Sequence, residues 1–248
     1  MFLKGSGNKV ADITSKSTLV QKAYDTIKEK IIYLELLPGQ IVSDYILSKE
    51  LNMSRTPIKQ ALLELRRDGL LDDATAGKGY EVSKITAEEV ADLFDAREGL
   101  ETMALKIALK KGISKKDIDE LTLFNKKISQ ADNTNRLKDV FYYDQELHTK
   151  LVSLSKNKRI IEFNNTLLLQ LIRMRFLTYF EPSLPGMAVK EHISLIDSIV
   201  KGDENKAINI LTDHIRYTKD SYISILTTKI RSEEYGALKF LMRKENQL

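Results

Sequence analysis

The sequence predicts a mainly α-helical protein, with an N-terminal winged helix-turn-helix domain followed by an all-α antiparallel helical bundle. Three observations support this fold class. Apolar residues recur at helical spacing through most of the 248 residues. A tight turn at Asn52 and Met53 separates two amphipathic segments. The segment "LLDDATAGKGYEV", residues 70–82, has two short strand-like runs around a glycine-containing loop, which is typical of a hairpin.

The composition excludes several classes of protein. No apolar run is long enough to span a bilayer, and the N-terminus lacks the apolar stretch of a secretory signal. The absence of cysteine excludes disulfides and thiolate metal sites and fits a reducing compartment. We therefore expect a cytoplasmic protein with no membrane partner. The net charge of +4 is too small to indicate nucleic-acid binding by itself.

The N-terminal domain is predicted over residues 18–83, after a disordered lead-in at residues 1–17. A first helix is expected at about 18–36, because Pro38 and Gly39 stop the helical pattern. A second short helix follows Ser43 and reaches about Leu51, and a third follows Ser54 and ends at Gly69; both serines are suited to N-cap positions. Three helices followed by a hairpin predict a winged helix-turn-helix.

Two basic residues, Arg55 and Lys59, lie at the start of the third helix. In a helix-turn-helix, the N-terminal end of the second helix meets base edges and phosphates. The sequence therefore predicts that Arg55 and Lys59 contact DNA.

The second domain is predicted over residues 84–228 and is almost entirely helical. It opens with a capping box formed by Thr86 and Glu89. Short connections between its helices favour antiparallel neighbours. Helices are expected near residues 86–111, 114–131, 135–154, 157–180, 187–201 and 203–228, and the charged tail at 229–248 is left without an assigned role.

Four polar residues interrupt the apolar stripes of this bundle. Asp144 and His148 are four residues apart and project from one helix face. His192 lies ten residues before the turn at Gly202 and His214 twelve after it, so their rings can converge in an antiparallel hairpin. One carboxylate and three imidazoles suit Zn²⁺ or a neighbouring divalent transition metal such as nickel or manganese. The alternative is that each histidine is a hydrogen-bonded core residue.

Two arginines also interrupt the apolar stripes of the bundle. Arg97 interrupts the stripe formed by Val90, Leu93 and Leu100. It could form an internal ion pair with Glu101, or offer a guanidinium fork to a carboxylate ligand. Arg173 is a second, weaker candidate for contact with such a ligand.

Several motifs together resemble one family. The "SRTPIKQAL" and "GLL…GKGYEV" segments resemble the DNA-binding domain of GntR-type bacterial transcription regulators. The segments "LFDAREGLE", "FYYDQELHTKLVSLSKN" and "EHISLIDSIVKGDENKAINILTDHI" resemble the helical FCD effector domain of the FadR branch. The six predicted effector helices are similar to the VanR-like layout. The resemblance covers residues 18–225.

The resemblance implies a set of DNA contacts. Lys59 departs from the arginine that is usual in the family, and lysine loses the bidentate fork for guanine, so the operator is expected to differ there. The implied contacts are Ser54, Arg55, Thr56 and Lys59 on the recognition helix and Lys78 and Gly79 at the wing tip.

The resemblance also implies a ligand set. Asp144, His148, His192 and His214 match the family's metal ligands, and Arg97 matches the arginine that faces a small metal-chelated organic acid. We therefore expect a homodimeric, ligand-responsive regulator of a palindromic operator, with repression relieved by the effector as the favoured response. Two alternatives stay open: a metal sensor with no organic effector, and a helical metalloenzyme.

Overall fold

The computed structural model of the chain describes residues 7–74, 79–180 and 183–228. The chain divides between Ile85 and Thr86 into two compact units, two residues after the boundary predicted from the sequence at residues 83–84. The predicted fold class is confirmed, because the first unit is a winged helix-turn-helix and the second is a helical bundle.

The first unit combines helices with a small sheet. Strand β3 lies between β1 and β2, and both pairings are antiparallel. The predicted hairpin is confirmed, whereas β1 was not predicted, since a two-residue strand has no periodic pattern. The elements in chain order are α1 (Gly7–Ile32), β1 (Ile41–Val42), α2 (Asp44–Glu50), α3 (Arg55–Arg67), β2 (Leu71–Asp73) and β3 (Tyr80–Val82).

The start of α1 differs from the sequence prediction. The helix begins at Gly7, whereas residues up to 17 were expected to be disordered. No proline interrupts residues 7–32, and extending an existing helix costs much less than nucleating one. The stretch at 1–6 and the tail at 229–248 lie outside the described residues.

The core of the first unit holds α3 by its apolar face. Ile27 of α1 and Ile58 and Leu65 of α3 are fully buried in this core. Burial of side chains of this size stabilises the fold by about 1.5–3 kcal/mol each. The packing fixes α3 so that its N-terminal end stays exposed to solvent.

The second unit is a bundle of antiparallel helices. Helix α4 packs against α9, α6 and α7, while α5 packs against α6 and α8, and α8 packs against α9. The elements are α4 (Ala87–Lys111), α5 (Lys115–Asp132), α6 (Leu137–Leu154), α7 (Lys158–Leu171), a 3₁₀ helix (Ile172–Phe180), α8 (Leu184–Val200) and α9 (Glu204–Thr228).

The observed helix ends and caps agree only in part with those predicted from the sequence. The single helix predicted at 157–180 is an α-helix to Leu171 and a 3₁₀ helix beyond it. The Thr86 side chain caps α4 by accepting a hydrogen bond from the Glu89 N–H at 3.1 Å, as the capping box predicted. Ser43 and Ser54 occupy N-cap positions, but their side chains form no capping hydrogen bond with the described residues.

Candidate functional site

Three helices bring the predicted ligand residues together. Asp144 and His148 come from α6, His192 from α8 and His214 from α9, and one candidate ligand atom from each lies within 4.8 Å of all the others. The Nε2 atoms of His148 and His214 are 3.2 Å apart. The Nε2 atoms of His148 and His192 each lie 3.9 Å from Oδ1 of Asp144. His192 and His214, which lie at similar distances from the turn at Gly202, thus converge as their spacing predicts.

Each imidazole is oriented by a partner on its other nitrogen. His148 Nδ1 lies 2.7 Å from a carboxylate oxygen of Glu101, and His214 Nδ1 lies 2.7 Å from one of Glu191. His192 Nδ1 lies 3.2 Å from the amide oxygen of Asn125. Because carboxylate and amide oxygens accept hydrogen bonds, all three rings donate through Nδ1.

This tautomer leaves the lone pair of each ring on Nε2, the nitrogen that would bind a metal ion. The Asn125 amide is itself held, since its Nδ2 donates to the carbonyl of Val189 at 3.1 Å. Histidines that bind metals in proteins commonly donate their other N–H to a carboxylate or carbonyl in this way. The Nε2 of His192 is buried and has no hydrogen-bond partner within the described part of the chain. The residues therefore fit a metal ion.

The electrostatics of the cluster favour the protonation states that metal binding needs. Burial lowers the pKa of His148, and it lowers the pKa of His192 well below 6.5 with a further contribution from His214. Burial would raise the pKa of Asp144, but His148, His192 and Arg97 outweigh it and lower the pKa to about 2. At neutral pH His148 and His192 are thus neutral imidazoles beside the charged carboxylate of Asp144.

A cavity of about 90 Å³ adjoins the cluster. Asp144, His148 and His214 form part of its wall, and apolar side chains such as Phe94 and Leu171 form another part. Its remaining polar lining includes Arg97, Gln145, Arg175, Thr178, Thr218 and Tyr222.

Arg97 lines this cavity and also forms the internal ion pair that was its alternative interpretation. Its Nε donates to Oε1 of Glu101 at 2.7 Å, and the whole residue is 9% exposed. The same Glu101 holds His148 through its other oxygen. Arg97 and His148 hold the pKa of the Glu101 carboxyl well below its usual range, although burial opposes them.

The structure does not place Arg173 in the cavity. Its buried guanidinium pairs with Glu89, in the first turn of α4. Arg175, two residues later in the 3₁₀ helix, lines the cavity instead. It donates to the carbonyl of Phe141 and to the side-chain oxygen of Gln145, both at 2.6 Å.

The predicted DNA contacts on the recognition helix are exposed together. Ser54, Arg55, Thr56 and Lys59 are all exposed at the N-terminal end of α3. Gly79 precedes β3 with φ of +100°, a backbone conformation that favours glycine. Lys78, the other predicted wing contact, lies outside the described residues.

Comparison with known proteins identifies the family. Residues 92–217 match the FCD domain, and residues 19–82 match the bacterial regulatory proteins of the gntR family. The chain is a GntR-family regulator with an FCD domain. Members of these families are DNA-binding transcriptional regulators, and this GntR-family protein is one of them rather than an enzyme.

Individual relatives and one solved structure are similar to the chain over most of its length. The regulator is 25% identical over 201 residues to the uncharacterised HTH-type transcriptional regulator YdhC of Bacillus subtilis, covering 78% of this chain and 86% of YdhC. It is 23% identical over 203 residues to the HTH-type transcriptional repressor RspR of Escherichia coli, covering 81% and 87%. The solved structure of E. coli McbR/YncC superposes with a TM-score of 0.69 at 20% identity, covering 85% of this chain and 98% of that one. Within the described segments, no helix is both long and apolar enough to cross a membrane.

Proposed function

We propose that this regulator binds a divalent transition metal in its helical unit and alters its DNA binding when a small carboxylate enters the adjoining cavity. The convergence of three imidazole nitrogens and one carboxylate oxygen within 4.8 Å carries the proposal. The buried Nε2 of His192, without a hydrogen-bond partner among the described residues, supports it. A buried nitrogen left in this state costs about 1–3 kcal/mol, and a metal ion would remove that cost.

The donor set narrows the class of metal. Imidazole nitrogens with one carboxylate suit zinc, and nickel and manganese are the alternatives. Asp144, His148, His192 and His214 would hold the ion. A bound ion would offer its open coordination positions to oxygen atoms of a ligand.

The cavity narrows the class of effector. A volume of about 90 Å³ corresponds to roughly three water molecules, which fits an organic acid of a few non-hydrogen atoms. Arg97 and Arg175 line the wall and bring positive charge toward such a ligand. Guanidinium groups recognise carboxylates through paired N–H donors. We therefore assign the effector contact to Arg175 instead of Arg173.

A metal sensor with no organic effector is the second candidate. Its support is the pairing of Arg97 with Glu101, because this ion pair gives Arg97 a role within the cluster that needs no ligand. Because Glu101 also bonds to His148, Arg97→Ala would disturb His148 as well as the effector site. Arg175→Met is the better probe, since Arg175 bonds to the Phe141 carbonyl and to the Gln145 side chain, and neither of these residues is a candidate metal ligand.

For the DNA-binding unit, we propose contacts through the exposed end of α3 and the wing at Gly79. A homodimer would present two such units to a palindromic operator in the cytoplasm. The name of the relative RspR, a repressor, supports repression as the direction of control. Arg55→Ala should weaken operator binding by about 1–3 kcal/mol if Arg55 reads a base. An equal loss on random DNA would make it a phosphate contact.

Thermal unfolding of metal-quantified protein tests the proposed effector response. Acetate, glycolate, malonate and succinate would be titrated with added zinc and with EDTA. We expect at least one acid to raise the unfolding temperature only when metal is bound. Arg175→Met should keep the stabilisation by zinc and lose the response to the acid. An unchanged acid response in Arg175→Met would exclude Arg175 from the effector site, and no response in the wild type would favour the metal sensor.

A further inference from the structure

One carboxylate in the winged unit lies beside both of the basic residues of α3 that are predicted to contact DNA. Asp44, in the first turn of α2, accepts hydrogen bonds from Nε and Nη2 of Arg55 at 3.0 and 2.8 Å. Both bonds end on the same oxygen, Oδ2. The Nζ of Lys59 lies 3.8 Å from that oxygen.

These pairs join exposed cations to a more protected anion. The side chains of Arg55 and Lys59 are 56% and 64% exposed, whereas that of Asp44 is 20% exposed. An ion pair with such exposed cations contributes little to stability, about 0–1 kcal/mol. Its effect on where the guanidinium points is therefore more consequential than its effect on folding.

The geometry leaves one edge of Arg55 available. A guanidinium has five N–H donors, and Asp44 engages the edge formed by Nε and Nη2. The end formed by Nη1 and the second Nη2 hydrogen stays directed away from Asp44. This end can donate two parallel hydrogen bonds to O6 and N7 of guanine, the commonest specific arginine contact in the major groove. Binding a base in this way does not require Arg55 to leave Asp44.

Asp44 disfavours a contact between these basic residues and a DNA phosphate. A phosphate held by the free end of Arg55 would lie near the negative charge of Asp44, which repels it, whereas a guanine edge carries no net charge. An arginine or lysine that reaches for a more distant phosphate must instead separate from this carboxylate. In complexes with random DNA, phosphate contacts supply essentially all of the affinity. Asp44 therefore acts against binding to random sequence much more than against binding to a matching site.

We propose that Asp44 is a specificity-determining residue, which orients Arg55 toward a base and withholds Arg55 and Lys59 from phosphates on non-matching DNA. This inference rests on the proposed contact of Arg55 with DNA. Removing the charge of Asp44 should free about one additional cation for phosphate. The salt dependence of binding to random DNA should then steepen by about 0.9, and affinity at 0.1 M salt should rise about eightfold.

The experiment first enriches a preferred duplex from a random-sequence library with the full-length wild-type protein. Fluorescence anisotropy then measures the affinity for this duplex and for a scrambled one at several salt concentrations. We expect Asp44→Asn to bind the scrambled duplex about eightfold more tightly at 0.1 M salt and to bind the enriched duplex no more than about twofold more tightly. The ratio of the two affinities should fall accordingly. Asp44→Ser provides a second variant if Asp44→Asn does not unfold cooperatively.

Two controls separate the possible results. Glu29→Gln removes one negative charge from an exposed position on α1 and should leave the ratio unchanged. The double variant Arg55→Ala with Asp44→Asn should show that the gain on scrambled DNA depends largely on Arg55. Equal tightening on both duplexes, an equal effect of Glu29→Gln, or an unchanged ratio in Asp44→Asn would overturn the inference. If Arg55→Ala alone leaves the affinity for the enriched duplex unchanged, the proposed DNA contact fails, and the inference fails with it.

Discussion

Replacing His192 with leucine gives a result that separates a metal ligand from a core histidine. His192 is fully buried, and its Nε2 has no hydrogen-bond partner among the described residues. In the metal-free protein, the substitution removes this nitrogen but leaves the amide oxygen of Asn125 without its hydrogen bond. Each unsatisfied buried group costs about 1–3 kcal/mol, so the two effects are similar in size and opposite in sign. We expect the unfolding temperature in EDTA to change by no more than about 4 °C.

The metal-loaded protein should respond very differently. Zinc at one hundred times its dissociation constant stabilises the folded protein by about 2.7 kcal/mol. For a unit of this size, that corresponds to a rise of about 10 °C in unfolding temperature. His192→Leu should abolish most of this rise, because it removes one of four ligands.

Differential scanning calorimetry with zinc and with EDTA measures both effects. Tyr222→Phe is the matched control, since Tyr222 is buried, lines the same cavity and bonds to Thr178 at 2.9 Å without being a candidate ligand. It should lower stability by about 0.5–1.5 kcal/mol and keep the zinc response. A zinc response in His192→Leu as large as that of the wild type, or a large loss of stability in EDTA alone, would refute the metal assignment.

Three further predictions follow from other contacts. Glu101→Gln should weaken zinc binding by about 10–100-fold, since Glu101 orients His148; competition with a chromophoric chelator measures this, and an unchanged affinity would contradict it. Leu65→Ala should destabilise the winged unit by about 2–5 kcal/mol because Leu65 is fully buried; urea denaturation followed by circular dichroism measures the loss, and a loss below about 1 kcal/mol would show that the site collapses freely. Burial lowers the pKa of His148 and His192 in the folded state. Below pH 6.5 the unfolded chain therefore binds more protons than the folded chain. The stability of the metal-free protein should fall as the pH drops through that value. Urea midpoints at pH 7.5 and 5.5 test this, and a midpoint in His192→Leu that falls as steeply would assign the effect to other groups.

The fold was largely predictable because its signals are local. Long apolar stripes at helical spacing gave the helices of both units, and the capping box at Thr86 marked the start of α4. The glycine-containing loop before Tyr80 gave the hairpin. The short strand β1 was missed, because its pairing with β3 is a tertiary contact with no signal in two residues.

The convergence of the candidate ligand residues was predictable for a geometric reason. In an antiparallel pair of helices, residues at similar distances from the connecting turn lie at similar heights. His192 and His214 flank Gly202 in this way, and their ring centroids are 4.8 Å apart. The residues that orient the rings, Glu191 and Asn125, could not be assigned, since hydrogen bonds between helices depend on helix rotation.

The error at Arg173 has a physical cause. The sequence pattern was interpreted as one continuous α-helix, in which successive residues turn by about 100°. The segment from Ile172 is a 3₁₀ helix, with a turn of about 120° per residue. This change turns Arg173, the second residue of the segment, by only about 20°, and Arg173 is buried as its stripe predicted. Its guanidinium pairs with Glu89 of α4, a contact between helices that the stripe cannot signal, and Arg175 lines the cavity instead.

The central claim is that metal, carboxylate and DNA binding are coupled in one protein. Its most direct test is the affinity for the enriched duplex, measured by anisotropy with zinc-loaded wild type and with His192→Leu, before and after adding the acid found by thermal unfolding. We predict that the acid changes DNA affinity by about 5–150-fold in the zinc-loaded wild type and has no effect on His192→Leu. An equal response in both proteins, or none in the wild type, would contradict the account.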